Sequence, residues 1–79
     1  MKPRNTYRYE LRDGRQIVQY GISEHPDVRA YQHELDGKRF TGVSVVGPAV
    51  TRDSALEWER QMVEAYERSH GGKRPRYNK

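Results

Sequence analysis

The chain has no cysteine, so neither disulfides nor thiolate zinc ligands can hold it together. Its 79 residues leave room for one domain and one small core, near the lower limit of what folds without staples. Side-chain packing must therefore carry the fold, as is usual in a reducing, cytoplasmic setting. There is also no apolar run long enough to cross a bilayer, and the opening Met1-Lys2-Pro3-Arg4-Asn5 lacks the apolar segment of a secretory signal. Membrane insertion and export are thus not expected. Charge is plentiful: 15 Lys and Arg against 11 Asp and Glu give +4, a balance that favours polyanions such as nucleic acid and is equally ordinary for solubility.

Period-two alternation marks two half-buried strands, Thr6 to Leu11 with Tyr7, Tyr9 and Leu11 on one side, and Gln16 to Ile22 with Val18, Tyr20 and Ile22 on one side. Asp13-Gly14 between them is a hairpin turn, because Gly14 can take the positive φ that such turns need. Pro26 suits the first turn of a helix, with Ser23 or His25 near its cap, Val28, Tyr31 and Leu35 as its apolar side and Asp36-Gly37 as its end. Phe40 to Val46 is rich in β-formers and reads as a third strand, closed by Gly47-Pro48. Ser54 followed by Glu57 makes a capping box for a long last helix, which Gly71-Gly72 stops. The order β-β-α-β-α predicts a small α+β domain, a three-stranded antiparallel sheet packed with two main helices. It spans 1–79 without an internal boundary, between a basic leader (1–5) and a basic tail (71–79).

Two placements carry chemistry. At about 100° per residue, Ala55, Leu56, Trp58, Met62, Val63, Ala65 and Tyr66 form the apolar arc of the last helix, and Glu59 falls inside it. A carboxylate facing a core costs several kcal/mol unless it is paired, hydrogen-bonded or metal-bound. Glu59 is therefore either a rim residue paired with an arginine or a ligand. On the first helix, Arg29 and His33 are four apart and share a face opposite Val28, Tyr31 and Leu35. A guanidinium beside an imidazole can grip a phosphate through forked and titratable donors, and two solvated basic groups would look the same in sequence.

Taken in chain order, Tyr7-Arg8-Tyr9, Gln19-Tyr20-Gly21, Arg29 with His33, Glu59, and the closing Pro75-Arg76-Tyr77-Asn78 resemble the GIY-YIG nuclease family, over nearly the whole chain from about Thr6 onward. The resemblance implies a small α+β domain around a three-stranded antiparallel sheet, and a DNA endonuclease using a divalent metal, Mg²⁺ or Mn²⁺. It implies that Tyr9 positions or deprotonates the attacking water, Arg29 steadies charge on the phosphate, and His33 assists proton transfer. It further implies that Glu59 holds the single metal ion, that Gly21 closes the second tripeptide, and that Asn78 orients the site. A lone Glu suits Mg²⁺, which keeps several waters and takes substrate phosphate oxygens.

The chain departs from the family at Gln19, where a tyrosine should open the second tripeptide. Strand alternation puts Gln19 and Gly21 on one face and Tyr20 on the other with Val18 and Ile22, unless a bulge shifts the register. Tyr7, on the face of Tyr9, is a second substitute for the missing tyrosine. The alternative function is an inactive nucleic-acid-binding or partner-binding module that keeps the fold. Lys73, Arg74, Arg76 and Lys79 are expected to contact nucleic acid, either as a disordered polybasic end or as charge held beside the site. No separate recognition domain fits, so sequence preference would come from the core, from a homodimer or from partners.

Overall fold

A computed structural model describes residues 2–78; Lys79, one of the expected nucleic-acid contacts, lies outside the described residues. Five elements follow in chain order: β1 (Tyr7–Asp13), β2 (Gln16–Ser23), α1 (Pro26–Leu35), β3 (Gly42–Val45) and α2 (Arg52–Ser69). They form the expected α+β domain with one antiparallel sheet in the order β2-β1-β3. The hairpin turns at Gly14, whose φ of 64° a residue with a Cβ adopts only at a cost. Among the described residues no helix is long and apolar enough to cross a membrane.

The register fixes which side chains meet. Tyr9 pairs with Gly21 on β2 and Val45 on β3, and Leu11 with Gln19 and Val43. The two faces follow from alternation: Tyr7, Tyr9 and Leu11 look one way, while Arg8, Glu10, Tyr20 and Ile22 look the other. A bulge lies where Leu11 pairs with Gln19 and Arg12 with Ile17. Val18 is the extra residue and is fully buried with Tyr9 and Leu11, against which Phe40 and Tyr77 pack. The bulge does not carry Tyr20 into Tyr9's company. Tyr20 pairs with Glu10, is buried, and meets the Trp58 ring of α2 edge-on at 5.7 Å. Tyr20 is therefore a core residue whose ring has no place at the site.

Two helix expectations are corrected. α2 starts one turn early: Thr51 is its cap, accepting from the Ser54 amide at 3.2 Å, and Asp53 sits in the first turn where the helix dipole favours it. Glu57, expected in the capping box, instead binds Arg60 and Gln61 on the exposed face. The larger correction concerns α1. Val28, Tyr31 and Leu35 are exposed at 51%, 62% and 69%, while His33 is buried at 4%. Periodicity tells which residues share a face but not which face meets the sheet. Here the imidazole of His33 finds polar partners beneath the helix. The third strand is also shorter than expected, although Thr41 and Val46 still donate to Arg12 and Arg8 of β1 beyond its ends.

The described part of the tail after α2, up to Asn78, packs against β2. Pro75 is buried, the Tyr77 amide donates to the Val18 carbonyl at 2.9 Å, and Asn78 clasps both backbone groups of Tyr20. These bonds cover the outer edge of β2, which would otherwise present unpaired donors and acceptors.

Candidate active site

The Tyr9 ring crosses the sheet over Gly21, which has no side chain to obstruct it: a Cβ at position 21 would overlap the ring and hydroxyl. Its hydroxyl reaches the sheet-facing side of α1 and forms a 2.8 Å hydrogen bond with His33 Nε2. Both residues are buried, Tyr9 at 1% exposure. Gly21→Ala should therefore push Tyr9 aside and cost about 1–3 kcal/mol, the usual penalty for overpacking. Denaturant unfolding measures that loss, and an unchanged midpoint would show that Tyr9 does not rest on Gly21.

Burial raises the Tyr9 hydroxyl's pKa above the usual tyrosine value; the Arg29 guanidinium opposes the rise, and the Glu59 carboxylate adds to it. Tyr9 is consequently a neutral phenol near pH 7. His33 is pushed the other way: burial first, then the Lys38 and Arg29 cations, lower its pKa, with Asp36 opposing. It is a neutral imidazole at neutral pH. Arg29 itself is exposed and donates to Gln32 Oε1 at 3.1 Å, one turn along the helix. Its charge acts on both Tyr9 and His33, so one cation serves the buried pair from the solvent side.

Glu59 approaches from α2. It is partly buried, burial raises its carboxyl pKa above the ordinary range, and Arg52 offsets part of that rise. Among the described residues it makes no ion pair or hydrogen bond, whereas the neighbouring acids do: Glu57 and Glu64 hold Arg60, and Glu67 holds Arg74. The rim reading, in which an arginine pairs with Glu59, is thus not what the fold provides. Its side chain lines a groove with Leu56, Val63, Glu67, Arg74 and Asn78.

The supporting residues divide. Gln19 stands on the Tyr9 face, as alternation requires, and its Oε1 accepts from Lys38 Nζ at 3.0 Å. Tyr7 shares that face, yet it lines a separate groove with Pro26, Ala30, Val43 and Val45, and no described hydrogen bond ties it to the Tyr9–His33 pair. Asn78 binds the Tyr20 backbone, its Oδ1 accepting at 2.8 Å and its Nδ2 donating at 2.9 Å, so it touches the site through the β2 edge and the Glu59 groove. Asn78→Ala would strand a part-buried amide and carbonyl, with an expected loss of about 1–3 kcal/mol. Asn78→Asp, which keeps the acceptor and loses the donor, should fall between; hydrogen exchange at the Tyr20 amide reads the same order, and slow exchange in the alanine variant would remove Asn78 from the edge. Of the tail cations, Lys73, Arg74 and Arg76 are exposed; Arg74 pairs with Glu67 at 2.7 Å and Arg76 lies 3.8 Å from Asp13.

Sequence reasoning missed Lys38. Its Nζ lies 2.9 Å from His33 Nδ1 and 5.5 Å from the centre of the Tyr77 ring. Lys38 follows the end of α1, where no periodic rule applies, so only the path of the chain after Gly37 brings it under the helix. Comparison with protein-family models, curated proteins and solved structures found no match to the chain.

Proposed function

We propose that this protein is a metal-dependent endonuclease that hydrolyses phosphodiester bonds of DNA. The observation that carries this reading is the convergence on one buried hydroxyl: Tyr9 is hydrogen-bonded to His33, and the charges of Arg29 and Glu59 both act on it. Three elements, β1, α1 and α2, supply those groups, and a purely structural core has no use for such an arrangement. In the proposed reaction Tyr9 orients the attacking water through its hydroxyl, and Arg29 takes up the negative charge that grows on the phosphate. His33 holds Tyr9 in place.

Glu59 is the residue that would hold the metal. An unpaired carboxylate with a raised pKa suits a hard divalent cation, Mg²⁺ or Mn²⁺, that draws its remaining ligands from waters and substrate phosphate oxygens. Among the described residues no three His, Asp or Glu side chains cluster, so such an ion would draw most of its ligands from water and substrate. When bound, it would supply charge neutralisation at the phosphate and a more acidic water. The net charge of +4 and the exposed Lys73, Arg74 and Arg76 favour a polyanionic partner, and the cytoplasm is the compartment in which we place the activity.

One observation favours a second reading, a nucleic-acid-binding module without turnover: Gln19 occupies the position where the resemblance calls for tyrosine, and its amide is engaged by Lys38. Incubation of the purified protein with labelled duplex, nicked, branched and single-stranded DNA, and with RNA, separates the two. The endonuclease reading expects cleavage with Mg²⁺ or Mn²⁺ that EDTA stops. Salt-sensitive binding with no cleavage on any substrate in either metal would leave the binding module, and cleavage that persists in EDTA would remove the metal.

A further inference from the structure

A chain of polar contacts runs through the core side of α1: Gln19 Oε1, Lys38 Nζ, His33 Nδ1, His33 Nε2 and Tyr9 Oη, with successive separations of 3.0 Å, 2.9 Å across to the ring, and 2.8 Å out of it. Chemistry fixes its direction. An ammonium group has three donors and no acceptor, so the ring nitrogen facing Lys38 must be the unprotonated one. A neutral imidazole then carries its hydrogen on the other nitrogen. We propose that Lys38, held in place by the Gln19 amide, is a positioning residue that locks His33 in its Nε2–H tautomer, so that the imidazole donates to the Tyr9 oxygen and the Tyr9 hydrogen is turned away from His33.

The consequence is a division of labour within the pair. If His33 Nε2 were bare, it would capture the Tyr9 hydrogen and the phenol would have nothing to offer a water or phosphate oxygen. With Nε2 protonated, the Tyr9 oxygen receives a hydrogen bond and its own O–H is available. The same donation makes the oxygen a better acceptor of negative charge, in the direction in which Arg29 already acts. Gln19 gains a purpose that its departure from the tyrosine pattern left open, because an amide oxygen can hold an ammonium and a tyrosine hydroxyl at that position would itself compete for hydrogen. Lys38 also lies over the Tyr77 ring, and Tyr77 Oη in turn accepts from the Arg39 amide at 2.7 Å, so the tail helps define where the ammonium sits.

The charged and titratable groups facing the ring are Tyr9 from β1, Arg29 and Asp36 from α1 and its end, and Lys38 from the loop; Glu59 of α2 acts on Tyr9. Three of the surroundings, burial, Lys38 and Arg29, keep the ring neutral, as a tautomeric lock requires.

The functional weight of the lock rests on the endonuclease reading, whereas the tautomer itself can be read in the ligand-free protein. Long-range ¹H–¹⁵N spectra of histidine-labelled protein at neutral pH, assigned with His33→Gln, should show His33 with an unprotonated Nδ1 and a protonated Nε2. In Lys38→Met the ring should move toward the Nδ1–H form, and its titration midpoint should rise because a nearby cation is gone. A predominant Nδ1–H form in the unsubstituted protein, or a His33 ring unchanged in Lys38→Met, overturns the lock. On a cleaved substrate Lys38→Met should lower kcat with KM retained; a loss in KM alone would make Lys38 a phosphate contact and not a positioning residue. Should the protein cleave nothing while the spectra show the Nε2–H ring and its response to Lys38→Met, the lock stands and the endonuclease reading falls.

Discussion

Glu59→Gln should abolish cleavage and at the same time raise thermal stability at neutral pH. Both effects have one cause. The carboxylate is partly buried without a protein partner, so in the folded state its charged form is disfavoured and its pKa is raised. A group whose native pKa lies above its unfolded value penalises folding where it is ionised in both states. The penalty is full above the raised native pKa and vanishes below the ordinary carboxylate value. The gain in melting temperature of Glu59→Gln should therefore be greatest near and above neutrality and shrink as pH falls through that window. The amide also removes the hard anionic ligand on which a divalent ion would depend, so added Mg²⁺ or Mn²⁺ should stabilise the original protein and leave the variant unmoved. Full cleavage by Glu59→Gln would take the residue out of the site, and a lower melting temperature at neutral pH would mean that a partner for the carboxylate exists after all.

Arg29→Ala should reduce turnover by about two decades or more, the scale seen when a principal donor to transition-state charge is removed. Its exposure means that the fold should tolerate the change, with stability altered by about 0.5 kcal/mol or less, as for most surface substitutions. The charge it removes is one that lowers the Tyr9 pKa and the His33 pKa alike. The variant should therefore show a Tyr9 that ionises at still higher pH and a His33 that protonates more easily, visible as a shift of the acid limb of the rate profile to higher pH. Arg29→Lys should restore the pKa values better than the rate, because a point charge replaces the guanidinium but the two-pronged fork is lost. Turnover equal to that of the original protein in Arg29→Ala, on every substrate that is cut, would reduce Arg29 to a solvated surface residue.

The α1 helix shows where sequence reasoning reaches its limit. The 3.6-residue period correctly separates Val28, Tyr31 and Leu35 from Arg29 and His33, and then the ordinary preference for burying apolar side chains assigns the wrong face to the sheet. That preference is a statement about area, whereas the buried face of α1 is decided by polar complementarity: an imidazole lying between a phenol and an ammonium is satisfied at both nitrogens. The β2 strand gives the opposite case. Alternation alone places Gln19 and Gly21 with Tyr9 and sends Tyr20 to the other side, and the bulge, which falls at Val18, leaves that parity intact around Tyr9. Glu59 lies between these cases, for helical spacing marks it as anomalous but cannot exclude an arginine partner, which depends on where the side chains of other elements end.

The sequence by itself determined the element order, the hairpin at Gly14, the pairing of faces along β1 and along β2 from Gln19 onward, and the spacing that joins Arg29 to His33 and sets Glu59 in an apolar arc. These are local matters, governed by periods of 2 and 3.6 and by the few residues that turns and helix ends accept. Val18, expected beside Tyr20 and Ile22, is instead carried by the bulge into the cluster of Tyr9 and Leu11. Tertiary structure alone decided that α1 turns His33 inward, that Lys38 reaches His33 Nδ1, that Asn78 closes the β2 edge at Tyr20, and that Glu59 has no described partner. Each depends on the meeting of groups from segments that no local period relates. Lys38 and His33 are five residues apart across a helix end, and Asn78 and Tyr20 are separated by 58. The free energy that selects those meetings lies in the desolvation of polar groups and its compensation by hydrogen bonds, which exists only once the chain has closed around them.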